Sequence, residues 1–158
     1  MNSSDNIAIL DEEEVYNGAK NWLLRNGFKV VAGQPARGVD HLPVIEIKGG
    51  EGDKGSLDAY KPDLVAIFDG TVYIIECKPV FNLWDYRKIL SVLEDENRLK
   101  NFYKELDQYK ILEKYNIKPG APHKTSGIIA YSGPKEANNK DVLHLVVKSW
   151  RGEADIYS

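Results

Sequence analysis

The stretch Lys61-Pro62-Asp63-Leu64-Val65-Ala66-Ile67-Phe68-Asp69-Gly70-Thr71-Val72-Tyr73-Ile74-Ile75-Glu76-Cys77-Lys78 holds two apolar, β-rich runs on either side of an Asp-Gly dipeptide. That dipeptide suits the positive φ angles of a tight primed turn, so the spacing predicts a β-hairpin over this segment. Pro79 has no N–H to donate and is expected to end the pairing of the second strand. Folding at the turn returns the second strand beside the first, so Asp63 and Glu76 lie close in space although far apart in sequence. Side chains alternate along a strand, which puts Glu76 and Lys78 on one face and turns Cys77 to the other, where it packs.

Outward from the hairpin, Asp11-Glu12-Glu13-Glu14 leads into Val15, Ala19, Trp22 and Leu23, an apolar stripe at helical spacing that closes at an Asn26-Gly27 cap. Phe28 to Val31 reads as a short strand. A Gly- and Pro-containing loop follows through Arg37 and Gly38, and Val44 to Lys48 alternates like a further strand. Gly49 to Gly55 offers nothing apolar to bury and is expected to be an exposed, mobile loop. Trp84 to Leu93 and Asn97 to Tyr115 are periodic enough for one interrupted helix or two successive ones, with Phe102, Leu106, Tyr109 and Leu112 as the stripe of the second. Gly127 to Tyr131 and Val142 to Val147 read as strands, and the residues after Trp150 as a frayed tail. The order of elements predicts an α/β protein with a mixed central sheet and helices packed against it.

A chain of 158 residues with 42% hydrophobic and 28% charged residues has the material for one domain with a real core. A single domain over residues 1–158 is expected, with its core at about 11–147 and flexible ends. Its net charge of -3 argues against a binder that relies on a broad basic field. An enzyme that gathers carboxylates around a divalent cation remains compatible with that charge. The lone cysteine, Cys77, leaves no intrachain disulfide or thiolate cluster, and suits a reducing compartment. With no long apolar run and no basic-apolar leader in Met1 to Asn6, the expected location is cytoplasmic, without a membrane partner.

Asp63, Glu76, the Cys77 backbone carbonyl and water are the hard oxygen donors that Mg²⁺ asks for, with a substrate phosphate completing the shell. Lys78 on the same face is placed to orient or deprotonate an attacking water and to offset charge that develops on phosphate. Pro62-Asp63 followed by Glu76-Cys77-Lys78 resembles the PD-(D/E)xK nuclease superfamily, the restriction-endonuclease-like fold, in which a hairpin bears these residues. The resemblance implies Mg²⁺-dependent hydrolysis of DNA by direct attack of water, with Mn²⁺ able to substitute. It implies DNA as partner, and a homodimer or a targeting subunit beside it. The superfamily commonly adds a glutamate from its first helix; by helical angle Glu12 lies nearest the apolar stripe, ahead of Glu13, while Glu14 falls almost opposite. It sometimes places a polar residue on the helix after the motif near the metal, and Gln108 is the candidate here.

A second Glu-x-Lys string, Glu46-Ile47-Lys48, lacks an upstream Pro-Asp partner and is set aside as the primary site, though it can lie near substrate. His41, His123 and His144 lack metal-helix spacing, and His144, inside an apolar strand, reads as a structural histidine. Arg37, Lys54, Lys61, Tyr86, Arg87 and Lys88 are candidates for contact with a nucleic-acid backbone, as is Trp84, although a tryptophan is more often core. Two other classes compete: a nuclease-like module kept only for binding nucleic acid or protein, and an oligomeric structural protein.

Overall fold

The computed structural model describes residues 9–35, 41–49, 59–117, 124–136 and 141–158. Asp11 caps the first helix, α1 (Glu12–Arg25), in a reciprocal capping box with Glu14, and Asn26 ends it with Gly27 in the left-handed region beyond. The chain then runs through β1 (Lys29–Gly33), β2 (Leu64–Phe68) and β3 (Thr71–Lys78). Asp69 and Gly70 both take positive φ, at 48° and 75°, and join β2 to β3 in the tight turn that the dipeptide specifies. Three helices follow, α2 (Leu83–Leu93), α3 (Glu96–Gln108) and the one-turn α4 (Ile111–Lys114), and then β4 (Lys124–Tyr131), β5 (Leu143–Val147) and β6 (Ala154–Tyr157).

The six strands lie side by side in chain order. β1–β2 and β2–β3 are antiparallel, β3–β4 and β4–β5 are parallel, and β5–β6 is antiparallel. The sheet is therefore mixed, with α2, α3 and α4 forming the crossover between the parallel strands β3 and β4. Alternation sorts the strand side chains onto its two faces. Leu64, Ala66, Ile75, Cys77, Ile128 and Ala130 pack against Val15, Ala19 and Leu23 of α1. Val65, Ile67, Val72, Ile74 and Ile129 pack on the opposite face with Ile89, Val92, Phe102 and Leu106 of α2 and α3. Gly127 of β4 admits α2 closely: a Cβ there would run into Ile89 Cγ2. No helix among the described residues is long and apolar enough to cross a membrane.

Four expectations are corrected. Val44 to Lys48 does not form a strand: Ile45 and Ile47 are buried, but the only pairing of the segment among the described residues is an isolated bridge between Ile47 and Tyr60. The residues after Trp150 are not a frayed tail, because Ala154–Tyr157 closes the sheet against β5. The helical stripe expected through Tyr109 is interrupted: Lys110 takes a φ of 61°, and Tyr109 is exposed at the break between α3 and α4. Gly49, expected at the start of an exposed loop, is buried, and its carbonyl accepts from Asn101 Nδ2 at 2.7 Å. Trp84, read as a nucleic-acid contact or as core, is 70% exposed. Arg37, Lys54, His123 and residues 50–55 lie outside the described residues.

Candidate active site

The open end of the hairpin builds the site. The β2–β3 register pairs Leu64 with Ile75, and one step further Asp63 meets Glu76. There side chains take over from the backbone ladder. The Asp63 N–H donates to Glu76 Oε2 at 3.1 Å, and the Cys77 N–H donates to Asp63 Oδ2 at 2.8 Å. Each carboxylate is thus held by the backbone of the opposite strand. The Asp63 carbonyl is itself fixed by the Gln34 N–H at 2.8 Å. A strand residue turns its N–H and C=O toward the same neighbour in an antiparallel ladder, so the Cys77 carbonyl faces the edge on which Asp63 lies. The Cys77 side chain is fully buried on the α1 face, and burial raises its thiol pKa well above the ordinary value.

Glu76 is only 4% exposed, whereas Asp63 is half-buried and Lys78 reaches solvent. Burial, reinforced by the neighbouring Asp63 charge, pushes the Glu76 carboxyl up to about 9. Burial also raises Asp63, against the opposing pull of the Cys77 N–H. Two carboxylates face to face in a low-dielectric corner resist ionising together unless positive charge joins them. Lys78 supplies only part of it, since its Nζ is 2.9 Å from Glu12 Oε1. That hydrogen bond raises the Lys78 pKa and keeps it an ammonium.

Glu12 reaches this point because the first turn of α1 is fastened to the end of β3. The buried Ser132, just beyond β4, accepts from the Leu10 N–H at 2.8 Å and donates through its hydroxyl to the Pro79 carbonyl at 2.6 Å. Glu14 is occupied with the Asp11 N–H in the capping box, and Glu13 points to solvent. Of the three glutamates in the run, Glu12 is the one that meets Lys78.

Two further residues belong to the same corner and carry no sequence motif. Asp85, in the first turn of α2, is 2% exposed; its Oδ1 lies 3.4 Å from Lys88 Nζ, and its Oδ2 is buried without a hydrogen-bond partner. Its charge is felt at Tyr60, Glu76, Cys77 and Lys78, raising the pKa of each. The Tyr60 hydroxyl is likewise buried, facing Glu76 without a well-formed hydrogen bond, and burial beside Glu76 and Asp63 pushes it well up. An aspartate in a helix's first turn ordinarily reads as a complement to the helix dipole, which hides Asp85 in the sequence. Tyr60 stands only three residues before Asp63, and that proximity is the one signal for it.

Other candidates are placed elsewhere. Glu46, Lys48 and Gln108 line a separate cleft of about 90 Å³ with Asn101, Lys104 and Glu105. His41 is exposed, and His144 is buried with its Nδ1 2.7 Å from the Tyr131 hydroxyl and its ring stacked on Phe81. Arg87 and Lys88 are exposed on α2, and Lys61 is exposed beside the motif, while Tyr86 is buried and donates to Asp141 Oδ2 at 2.7 Å. Among the described residues no three His, Cys, Asp or Glu side chains converge as a ready-made metal cage. Comparison of the chain with family models, curated proteins and solved structures gave no match.

Proposed function

We propose that the chain is a Mg²⁺-dependent deoxyribonuclease of the restriction-endonuclease-like kind, hydrolysing DNA phosphodiester bonds at Asp63, Glu76 and Lys78 with Glu12 in support. The observation that carries the reading is the meeting of Asp63 and Glu76 across the hairpin end, beside the Lys78 ammonium. The donor set fits the cation: Asp63, Glu76 and the Cys77 carbonyl are hard oxygens, and Mg²⁺ usually takes one or two carboxylates, waters and substrate phosphate rather than an all-protein cage. The raised Asp63 and Glu76 carboxyls and the unpartnered Asp85 Oδ2 mark a corner short of positive charge. Mn²⁺ suits the same ligands.

When bound, the cation supplies Lewis-acid stabilisation of the phosphate and a more acidic water. The protein's own groups do the positioning. Asp63 and Glu76 fix where a cation and its phosphate sit, because each is tied to the opposite strand. Lys78, kept protonated by Glu12, donates N–H to the attacking water or to a non-bridging phosphate oxygen and offsets the charge that grows there. Its protonated form favours, in this reading, an electrostatic and orienting role for Lys78. Water forms the new bond to phosphorus and releases a proton to the surrounding solvent as the bond to the leaving oxygen breaks, and that oxygen takes up a proton from solvent. DNA is the partner, and a second copy or a targeting subunit serves to address the second strand.

Cleavage of supercoiled, linear, single-stranded and branched DNA, and of RNA, with Mg²⁺ or Mn²⁺ tests the reading. Loss of metal-dependent cleavage in folded Asp63→Ala and Lys78→Ala variants is the expected result. A wild-type chain that binds DNA but turns over none of these substrates would point to a catalytically inactive binding module.

A further inference from the structure

Helical periodicity gives α2 a buried face at Asp85, Tyr86, Ile89 and Val92 and a solvent face at Trp84, Arg87, Lys88 and Ser91. A tryptophan on the solvent face forgoes the burial that normally justifies so large an apolar side chain. Trp84 is 70% exposed, and Val80 and Leu83 beside it in the chain are 48% and 46% exposed. The Arg87 guanidinium lies over the indole, 5.5 Å from the ring centroid, so cationic charge accompanies the aromatic surface. All of this sits within a few residues of Lys78, on the segment leaving the active strand, and directly beside the inward-pointing Asp85.

We propose that Trp84 and Arg87 form a stacking platform for an unpaired nucleobase of the substrate strand, so that the enzyme takes single-stranded or locally unpaired DNA in preference to intact duplex. The inference rests on the nuclease reading and adds its substrate class. An exposed indole with a guanidinium on it offers a base a flat, sequence-tolerant partner, and offers the adjoining phosphate a cation. A base held in a duplex has both faces covered by its neighbours and cannot use such a surface without unstacking. A protein partner is the poorer fit: stable interfaces use about 20–30 residues a side with a packed apolar centre, and here Leu83 and Trp84 on the first turn of α2, with Val80 in the preceding loop, sit beside exposed Arg87 and Lys88. Only Pro79 to Asn82 separate the end of β3 from α2, so the platform follows Lys78 closely along the chain.

The test is the affinity of wild type, Trp84→Ala and Trp84→Phe for a single-stranded oligonucleotide and for the matching blunt duplex, with Ca²⁺ replacing Mg²⁺ to prevent turnover. Trp84→Ala is expected to weaken single-strand binding about ten- to a hundredfold, to change duplex binding less than about twofold, and to leave the melting temperature unmoved. Trp84→Phe, which keeps a ring, is expected to recover most of the loss. Equal single-strand affinity of wild type and Trp84→Ala overturns the platform and leaves the nuclease reading standing. No DNA binding by wild type overturns that reading and the platform with it. A wild-type dimer that becomes a monomer in Trp84→Ala with unchanged DNA affinity assigns the patch to self-association and overturns the proposal.

Discussion

Lys78 Nζ and Glu12 Oε1 lie 2.9 Å apart, bridging the last residue of β3 and the first residue of α1. The pair joins the two helix-bearing sides of the sheet at the end where Asp63 and Glu76 meet. With the two side chains 35% and 39% exposed, solvent screens the bond and it contributes little to stability. Its consequence is chemical: Lys78 is held in one place and held protonated. Because its pKa is raised, the stabilisation from the pair is complete below the ordinary value of 10.5 and is lost only at more alkaline pH. Glu12→Gln is therefore expected to melt within about 3 °C of wild type at pH 8, yet to cleave about tenfold more slowly or worse. An undiminished cleavage rate removes Glu12 from the site.

Glu76 has the opposite thermodynamic sign to a salt-bridged carboxylate. Its pKa rises from 4.5 to about 9 on burial beside Asp63, so the folded state binds its proton more tightly than the unfolded state does. The metal-free protein loses stability as the pH climbs through that window. Glu76→Gln, which removes the charge and keeps the shape, is expected to melt roughly 5 °C or more above wild type at pH 8 without metal. The two are expected to converge near about pH 4. Thermal melts across pH decide it, and a variant that melts below wild type at pH 8 defeats the account.

Mg²⁺ is expected to raise the wild-type melting temperature at pH 8 by linkage, because it binds the folded carboxylates and not the unfolded chain. In Asp63→Ala that rise is expected to vanish. Asp85→Asn is expected to keep the metal-free melting temperature within about 3 °C and to require about threefold more Mg²⁺ or higher for the same rise, since one buried negative charge is gone from the corner. Titration followed by differential scanning fluorimetry measures both, and a Mg²⁺ response unchanged in Asp85→Asn shows that its carboxylate does not act on the cation.

Ser132 holds α1 to β3 through the Leu10 N–H and the Pro79 carbonyl. Ser132→Ala strips the Leu10 N–H of its acceptor in a part-buried setting, a loss of about 1–3 kcal/mol, or a fall in melting temperature of about 2–4 °C for each kcal/mol at this chain length. Cleavage is expected to fall alongside, because the first turn of α1 carries Glu12. Full activity at a temperature where the variant is folded separates the fastening from the chemistry.

The hairpin was legible because its signals are local: an Asp-Gly turn, two apolar runs and a closing proline. The cap at Asn26-Gly27 and the existence of strands β4 and β5 followed from local pattern in the same way, and helical angle singled out Glu12, the glutamate that meets Lys78; the parallel pairing of β4 with β5 did not. What escaped depends on contacts distant in sequence. Val44 to Lys48 alternates like a strand, yet its only ladder contact among the described residues is Ile47 with Tyr60. β6 is four residues long and largely exposed, so its pattern is set by the β5 edge it covers and not by its own hydrophobicity. Asp85 looks like an ordinary first-turn acid until α2 is docked on the sheet and its Oδ2 is enclosed. Ser132 is one serine among several until both ends of its fastening are in place.

Strand order in the sheet repeats strand order in the chain. No strand has to be threaded between two already laid down, so a chain emerging from the ribosome N-terminus first can extend its sheet at one growing edge, each newcomer finding its partner already waiting. Asp63 and Glu76 are brought together by the β2–β3 hairpin alone, with no contribution from β4 to their register. Until β4 arrives, however, β3 is an open edge of eight residues rich in apolar side chains, the kind of edge to which another chain can add. The strand that carries Glu76 and Lys78 is thus also one whose exposed edge invites misassembly until β4 covers it.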